Sequence, residues 1–444
     1  MTNYRISLTN RASGQHIDRT LQWDADGLGS RIDWGTDFFQ GWRPTRPAAD
    51  LFALAASVYC IDKLTSREET DDAWTRSIEV HNPVDDYPAW SQSRLSQVLG
   101  FLTGDDWNIS PYRNSANPLK TLPSLPEPLV PIVDIDAVSL FSGGLDSLCG
   151  VIDVLESQPN IRLGLVSHYE SGQVSPRQIE IHARLAEVYG AERVVLRRIW
   201  LRPAPRADGG EFDVVETSTR ARSFLFIAAA LALASSAGGN VPVFVPENGY
   251  IALNVPLTRA RVGSYSTRTT HPHYLKMYGE EATALGIANP IRNPHQFSTK
   301  GEMLVGSRNP ELLRELAPRT ISCSHPEVGR WGSVSQGNCG YCFPCLIRRA
   351  SLHAAGLDNE AYAWDVLSDA ELLHDTEKHR GADLRALING IYSERNETTL
   401  LRNAPLPGDR RAYLDTWRRG NTELRTWLEY GATGELARLV ERLR

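Results

Sequence analysis

Between Val138 and Ser147 the chain reads Val-Ser-Leu-Phe-Ser-Gly-Gly-Leu-Asp-Ser. A short apolar run ends in a loop of glycines, serines and an aspartate, and an apolar helical pattern follows at once from Leu148 to Leu155. The run therefore reads as a buried strand that turns sharply into a helix. Glycines let backbone approach a ligand closely, and a new helix aims its unpaired N–H groups at the loop before it. Such a helix start attracts anions. The Gly-Lys-Ser/Thr ending of a Walker-type phosphate loop is absent from this chain. The plain alternative is a glycine turn between a core strand and a helix.

The pattern around this loop predicts the fold class. From Ile135 onward strands and helices alternate: strands over 137–141, 162–167, 193–199 and 241–246, helices over 147–155, 175–189 and 219–234. Ser175-Pro176 is a cap and first-turn pair, and Gly190 closes that helix. Alternation of this kind gives an α/β fold, a parallel sheet with helices on both faces. Ligands of such sheets bind at the carboxyl ends of the strands, where the loop sits.

Four regions are expected. Residues 1–117 read as a small α+β domain, with strands at 4–8 and 74–80 and helices at 51–64 and 91–102. Residues 118–133 are a linker, because Pro118, Pro123, Pro126 and Pro128 oppose any regular element. Residues 134–357 form the α/β domain. Residues 358–444 form a charged helical region, with segments at 384–393 and 422–444, suited to a cap or a partner surface. The apolar run 224–234 is too short to span a bilayer and reads as a buried helix. The start of the chain lacks the apolar core of a signal peptide.

The second strong signal is Cys323 followed by Cys339-Gly-Tyr-Cys342-Phe-Pro-Cys345. Three cysteines at three-residue spacing converge through a tight turn, and a fourth completes a tetrahedron. All-thiolate ligation with no open position is the pattern of structural zinc. An iron–sulfur cluster, a disulfide and plain buried thiols are the alternatives. His325 could replace a ligand. Cys60 and Cys149 fall within apolar helical patterns and read as core. A thiol cluster of this kind implies a reducing compartment, so the chain is expected in the cytoplasm.

The Ser142-Gly143-Gly144-Leu145-Asp146-Ser147 loop resembles the pyrophosphate loop of the ATP pyrophosphatases, whose members split ATP into AMP and pyrophosphate. With the cysteine cluster, and with Arg348 after it, the chain resembles the QueC family of 7-cyano-7-deazaguanine synthases. His168-Tyr169-Glu170-Ser171-Gly172-Gln173 and Phe297-Ser298-Thr299-Lys300-Gly301-Glu302 match further family segments more loosely. The likeness covers residues 134–357. It implies an adenine nucleotide alpha-hydrolase-like fold, with ATP, Mg²⁺ and Zn²⁺ as cofactors. Ser142 to Ser147 would cradle the phosphates, Asp146 would hold Mg²⁺ or orient the loop, and adenine would lie along 166–169. Cys323, Cys339, Cys342 and Cys345 would hold zinc. Leu145 stands where the family favours a polar residue, and the regions 1–117 and 358–444 lack a counterpart in the short biosynthetic enzyme. Enlarged members of the family occur in bacterial anti-phage systems, including the Qat type. This setting implies a deazaguanine substrate and a partner protein from the same operon.

Several residues earn a role by position. Lysine is scarce, and Lys300 lies beside Glu302, where its charge could stabilise a phosphoryl transition state. The alternative is a solvated surface lysine. Arg222, with Arg220, opens a helix and could reach phosphate or substrate. Glu247 and Asn248 follow a strand at the carboxyl edge and could bind a guanine-like edge, or form a simple turn. His271 and His273 read as a solvent-exposed pair or a second metal site. The expected activity is ATP-dependent adenylation of a carboxylate and transfer to a nitrogen nucleophile. A housekeeping synthase, a tRNA thiolase and a non-catalytic nucleotide-binding scaffold are the rival readings. A net charge of −6 and a pI near 6.0 speak against a large nucleic-acid footprint. Trp34, Phe38, Phe39, Trp42 and Trp90 in the first region are either anchors for a partner protein or its own core.

Overall fold

The computed structural model describes residues 2–7, 19–22, 30–34, 38–39, 41–116, 118–120, 134–169, 174–203, 216, 218, 220–255, 268–325, 337–359, 361–368, 371–374, 381–393, 397–401 and 404–444. Its strands are β1 (Thr2–Ser7), β2 (Arg19–Gln22), β3 (Ser30–Trp34), β4 (Ser77–Val84), β5 (Asp106–Arg113), β6 (Ala137–Leu140), β7 (Leu163–His168), β8 (Val194–Ile199), β9 (Leu201–Pro203), β10 (Val243–Phe244) and β11 (Ile291–Arg292).

Five of these form a parallel sheet in the order β11-β10-β6-β7-β8. The chain lays down β6, β7 and β8 in one direction, then returns to the far side of β6 for β10 and β11. That reversal opens a crevice between the carboxyl ends of β6 and β10. Successive side chains of a strand point to opposite faces. Ala137, Leu163 and Leu165 thus join the core with helices Leu145–Ser157 and Val174–Tyr189. Val138, Leu140 and Val166 face the apolar helix Arg222–Ala237. Helices cover both faces, as the alternating pattern predicts. Among the described residues no helix is long and apolar enough to cross a membrane.

The first region differs from its sequence reading. Its sheet runs β5-β4-β1-β2-β3-β9, and every pair is parallel except β3 with β9. An α+β domain implies antiparallel pairing, which only the β3–β9 contact has. β9 follows β8 across a single residue, Trp200, so the chain passes from one sheet directly into the other. The helix Arg46–Leu64 packs against Arg222–Ala237, and one apolar core runs through both regions. Phe38, Phe39, Trp42 and Trp90 are buried in that core and are closed to a partner; the side chain of Trp34 lies outside the described residues. In the linker, Pro118–Lys120 form one 3₁₀ turn despite the prolines, and 121–133 lie outside the described residues.

A buried ionic cluster fastens the two regions. Arg76 reaches Asp62 at 2.5 Å and Asp105 at 2.7 Å, and Arg67 reaches Asp105 at 2.8 Å. Asp62 also accepts the Ala221 N–H at 2.9 Å, and Arg220 donates to the Thr103 carbonyl at 2.9 Å. Arg220 is therefore built into this cluster and stacked over Trp74, turned from the crevice that its sequence position suggested. Removing one member of a buried charge network strands the others. Arg76→Leu should cost about 3–5 kcal/mol in a urea titration for that reason.

Asp50 is a second buried carboxylate. Burial pushes its pKa up to about 6, against the pull of the Asp85 N–H and of Arg46 at 2.8 Å. The folded state thus holds a proton that the unfolded chain has already released. Its contribution to stability is full below the unfolded pKa of 3.8 and is lost as pH rises through about 6. Asp50→Asn should flatten the dependence of the urea midpoint on pH across that interval.

Candidate functional site

Past β6 the backbone is held from three sides. The Phe141 N–H bonds the Val166 carbonyl at 2.7 Å, and the Ser167 hydroxyl bonds the Phe141 carbonyl at 2.5 Å. Gly143 has φ +80°, and a Cβ there would lie 3.0 Å from Gln178. Gln178 is buried, and its amide donates to the carbonyls of Ser142 at 3.1 Å and His168 at 3.4 Å. On the other side the Ile321 N–H bonds the Gly143 carbonyl at 3.1 Å. Only glycine combines that left-handed turn with so close an approach. The helix starts at Leu145, so the N–H groups of Asp146 and Ser147 lie in its first turn and have no partner within it. The Ser142 and Ser147 hydroxyls meet at 3.2 Å beside them. Backbone donors, two hydroxyls and a helix start together suit a tetrahedral oxyanion.

The crevice between β6 and β10 carries charge. Asp146 pairs with the buried Lys300 at 3.1 Å, across 154 residues of sequence, and accepts the Asn248 amide at 2.7 Å. The same amide reaches Glu247 at 3.0 Å. Burial opposes the Asp146 charge, yet Lys300 and the hydrogen bonds outweigh it and hold the carboxyl at about 2. Burial and the neighbouring Asp146 charge push Glu247 well above the carboxylate range. The site thus sets a carboxylate held charged beside a second carboxyl whose ionisation is opposed. Opposed shifts in adjacent acids are a common mark of a working site. Lys300 is not a surface lysine, and Asn248 caps the short helix Gly249–Ala252 while serving Asp146. Arg222 lies at the end of β7, where it donates to His168 Nδ1 at 3.2 Å and to the His168 carbonyl at 3.3 Å, the carbonyl that Gln178 also binds.

The four cysteines converge. Their sulfurs all lie within 4.8 Å of one another, with Cys323–Cys342 at 3.9 Å and Cys339–Cys345 at 3.8 Å. A tetrahedral zinc with Zn–S near 2.3 Å sets its sulfurs about 3.8 Å apart. An iron–sulfur cluster spreads its four thiolates over two or four irons and so spaces some of them wider, and a single ion fits this set better. N–H groups of His325 and Cys339 point at the Cys323 sulfur at 3.2 and 3.3 Å, as suits a thiolate. The His325 ring stacks on Tyr341 and stands apart from the group. Cys60 and Cys149 are buried elsewhere, and none of the six cysteines is in a disulfide.

This centre borders the loop. Ser322, next to Cys323, accepts the Leu145 N–H at 3.3 Å, and Asn338, next to Cys339, accepts the Ser322 N–H at 3.0 Å. The buried Arg348 holds the same strip through the Thr320 hydroxyl and the Ala317 carbonyl, both at 2.7 Å. Gln178, Ser322 and Asn338 are absent from the sequence reading, since nothing local marks a residue that reaches across the fold. The pair His271 and His273 is corrected: His271 is fully buried, its Nδ1 accepts the His273 N–H at 3.1 Å to cap a helix, and burial pushes its pKa down to about 3. Residues 170–173 lie outside the described residues.

Fold and site together define an α/β protein with an oxyanion-suited loop at its topological switch point and a four-cysteine centre beside it. No family model, no curated protein and no solved structure matches the chain.

Thiolates brought together by folding make metal affinity part of folding free energy, on the order of 10 kcal/mol for such sites. Elemental analysis should find one zinc per chain. Cys342→Ser or a strong chelator should lower the melting temperature as well as any activity.

Proposed function

We propose that the chain is an ATP-dependent ligase of QueC-like chemistry, on an adenine nucleotide alpha-hydrolase-like fold. A carboxylate oxygen, most simply that of a 7-carboxy-7-deazaguanine, attacks the α-phosphorus of ATP, and pyrophosphate leaves. A nitrogen nucleophile then attacks the acyl carbon, loses a proton, and AMP departs. The observation that carries this reading is the convergence of the Ser142–Ser147 loop with Asp146, Lys300 and Asn248 at one switch point.

Each residue then has a part. The first-turn N–H groups and the Ser142 and Ser147 hydroxyls bind the β- and γ-phosphates. Lys300 supports the charge that builds at phosphorus, an electrostatic role suited to a site shielded from water. Asp146 keeps Lys300 in place and is the carboxylate that would hold Mg²⁺. That ion would neutralise the departing pyrophosphate. Glu247 and Arg222 are the side chains assigned to the substrate. The buried cluster around Arg76 explains how the first region bears on this site: it fixes residues 220–221, and so the start of the helix that carries Arg222.

The acyl acceptor is either ammonia or an amine of a partner protein, and an anti-phage operon is the setting in which we place it. Mass spectrometry of neighbouring-operon proteins co-expressed with this chain tests that assignment through a deazaguanine mass adduct.

Asp146→Asn keeps the volume and removes the charge that opposes Lys300. It should abolish AMP and pyrophosphate formation and, because it strands the buried Lys300 charge, lower stability by about 3–5 kcal/mol. Full activity in this variant would sink the loop assignment.

A further inference from the structure

The segment that carries Lys300 is gripped by a helix far along the chain. In helix Arg410–Gly431, residues Thr416, Arg419 and Glu423 follow one another at i, i+3 and i+7 and therefore share one face. Thr416 and Arg419 both donate to the Phe297 carbonyl, at 3.0 and 2.7 Å. Arg419 also pairs with Glu302 at 2.5 Å. Glu423 accepts the Thr299 hydroxyl and, at 3.3 Å, the Gly301 N–H. These contacts bracket Lys300 on both sides, at 297, 299, 301 and 302.

The bonding is specific in direction. Thr299 is the N-cap of helix Lys300–Val305, and its oxygen already accepts the Glu302 N–H at 3.1 Å. Its single proton is thus available to Glu423, which must act as acceptor. A Cβ at position 301 would lie 2.6 Å from the Glu423 oxygen, so glycine is what lets the carboxylate come this close. The same helix braces the other wall of the crevice. Asn421 accepts the Tyr250 hydroxyl at 2.8 Å, and Gly420 lies under the Tyr250 ring, two residues from Asn248. Burial and Glu302 raise the Glu423 pKa, so this carboxylate is held in place at a cost that surface charge would avoid.

We infer that the face formed by Thr416, Arg419 and Glu423 belongs to the working site, with Glu423 as the positioning residue that fixes Lys300 against Asp146. The inference rests on the ligase reading for its kinetic consequence, but the positioning itself is a claim about structure. Glu423 acts on Lys300 only through its neighbours Thr299 and Gly301. Its loss lets the Lys300 segment drift, leaves the phosphate loop alone, and so affects turnover more than ATP binding.

The test uses the full chain with Glu423→Gln as the main variant, Glu423→Ala as the stronger one and Arg418→Ala as an exposed control on the same helix. Hydrogen exchange of the peptide covering 297–305 should accelerate in both Glu423 variants, while exchange over 137–157 and zinc content stay at the wild-type level. Pyrophosphate release should fall roughly 10–100-fold in kcat with the ATP KM little changed, since a displacement of about 1 Å has that effect on a positioned group. The Arg418 control should match wild type. Unchanged exchange at 297–305 overturns the inference. So does a wild-type kcat per folded molecule alongside a lowered melting temperature, because the contact is then only structural. Should wild type itself release no pyrophosphate from ATP, the ligase reading fails and the exchange result alone decides the positioning claim.

Discussion

The ion pair between Asp146 and Lys300 is the constraint on which the site depends. Charges taken out of water are expensive, and a buried pair often stabilises a protein no better than apolar residues of the same size. This one joins the first turn of helix Leu145–Ser157 to the first turn of helix Lys300–Val305, and it sits at the reversal of strand order in the five-stranded sheet. Asn248 supplies a further bond from the end of β10. Three chain segments are thus registered to one another by a handful of polar atoms. A preorganised arrangement of that kind is costly in stability and useful for chemistry.

The four-cysteine centre extends the same logic. Its ligands come from two segments, around Cys323 and 339–345, and the strip between Thr320 and Cys323 lies along the loop glycines. Metal binding would lock that strip, and with it the Ser322 hydroxyl beneath the Leu145 N–H. A closed thiolate site does no chemistry of its own. It can nevertheless decide whether a neighbouring backbone stays in the conformation that binds an anion.

What the sequence made legible was local. The strand, loop and helix around Gly143 appear within two or three residues of their predicted bounds, because the period of apolar residues and the glycines act over short range. Gly190 closes its helix at φ +102°, as read, although that helix starts at Val174 and the Ser175 hydroxyl is taken up by Arg198. The cysteine spacing was equally plain, since the turn at Gly340 fixes it. What escaped was mainly long-range. Parallel pairing in the first sheet leaves no turn signal between neighbouring strands. Arg220 and Arg222 differ by two positions, yet one enters an ionic cluster and the other binds His168 at the end of β7. For the last segment the sequence predicts one stretch from 422, and the fold has two helices there, Arg410–Gly431 and Gly434–Leu443. Both the Asp409 cap and the apolar face of the first helix, Tyr413, Trp417, Leu424, Trp427 and Leu428 at helical spacing, are written in the sequence, the cap and the first two of that face ahead of 422.

The passage of the chain from β8 to β9 bears on how far these regions are separable. Residues 201–203 are spelled within the α/β region but complete the sheet of the first region, and the helices Arg46–Leu64 and Arg222–Ala237 bury their contact without exposed apolar surface. Continuity of the backbone between Lys120 and Asp134 is therefore not what keeps the two regions together. A single nick in that stretch would give two polypeptides that remain one particle, associated as tightly as the subunits of an obligate heterodimer. Modularity here is a property of the written sequence, and the folded molecule does not inherit it.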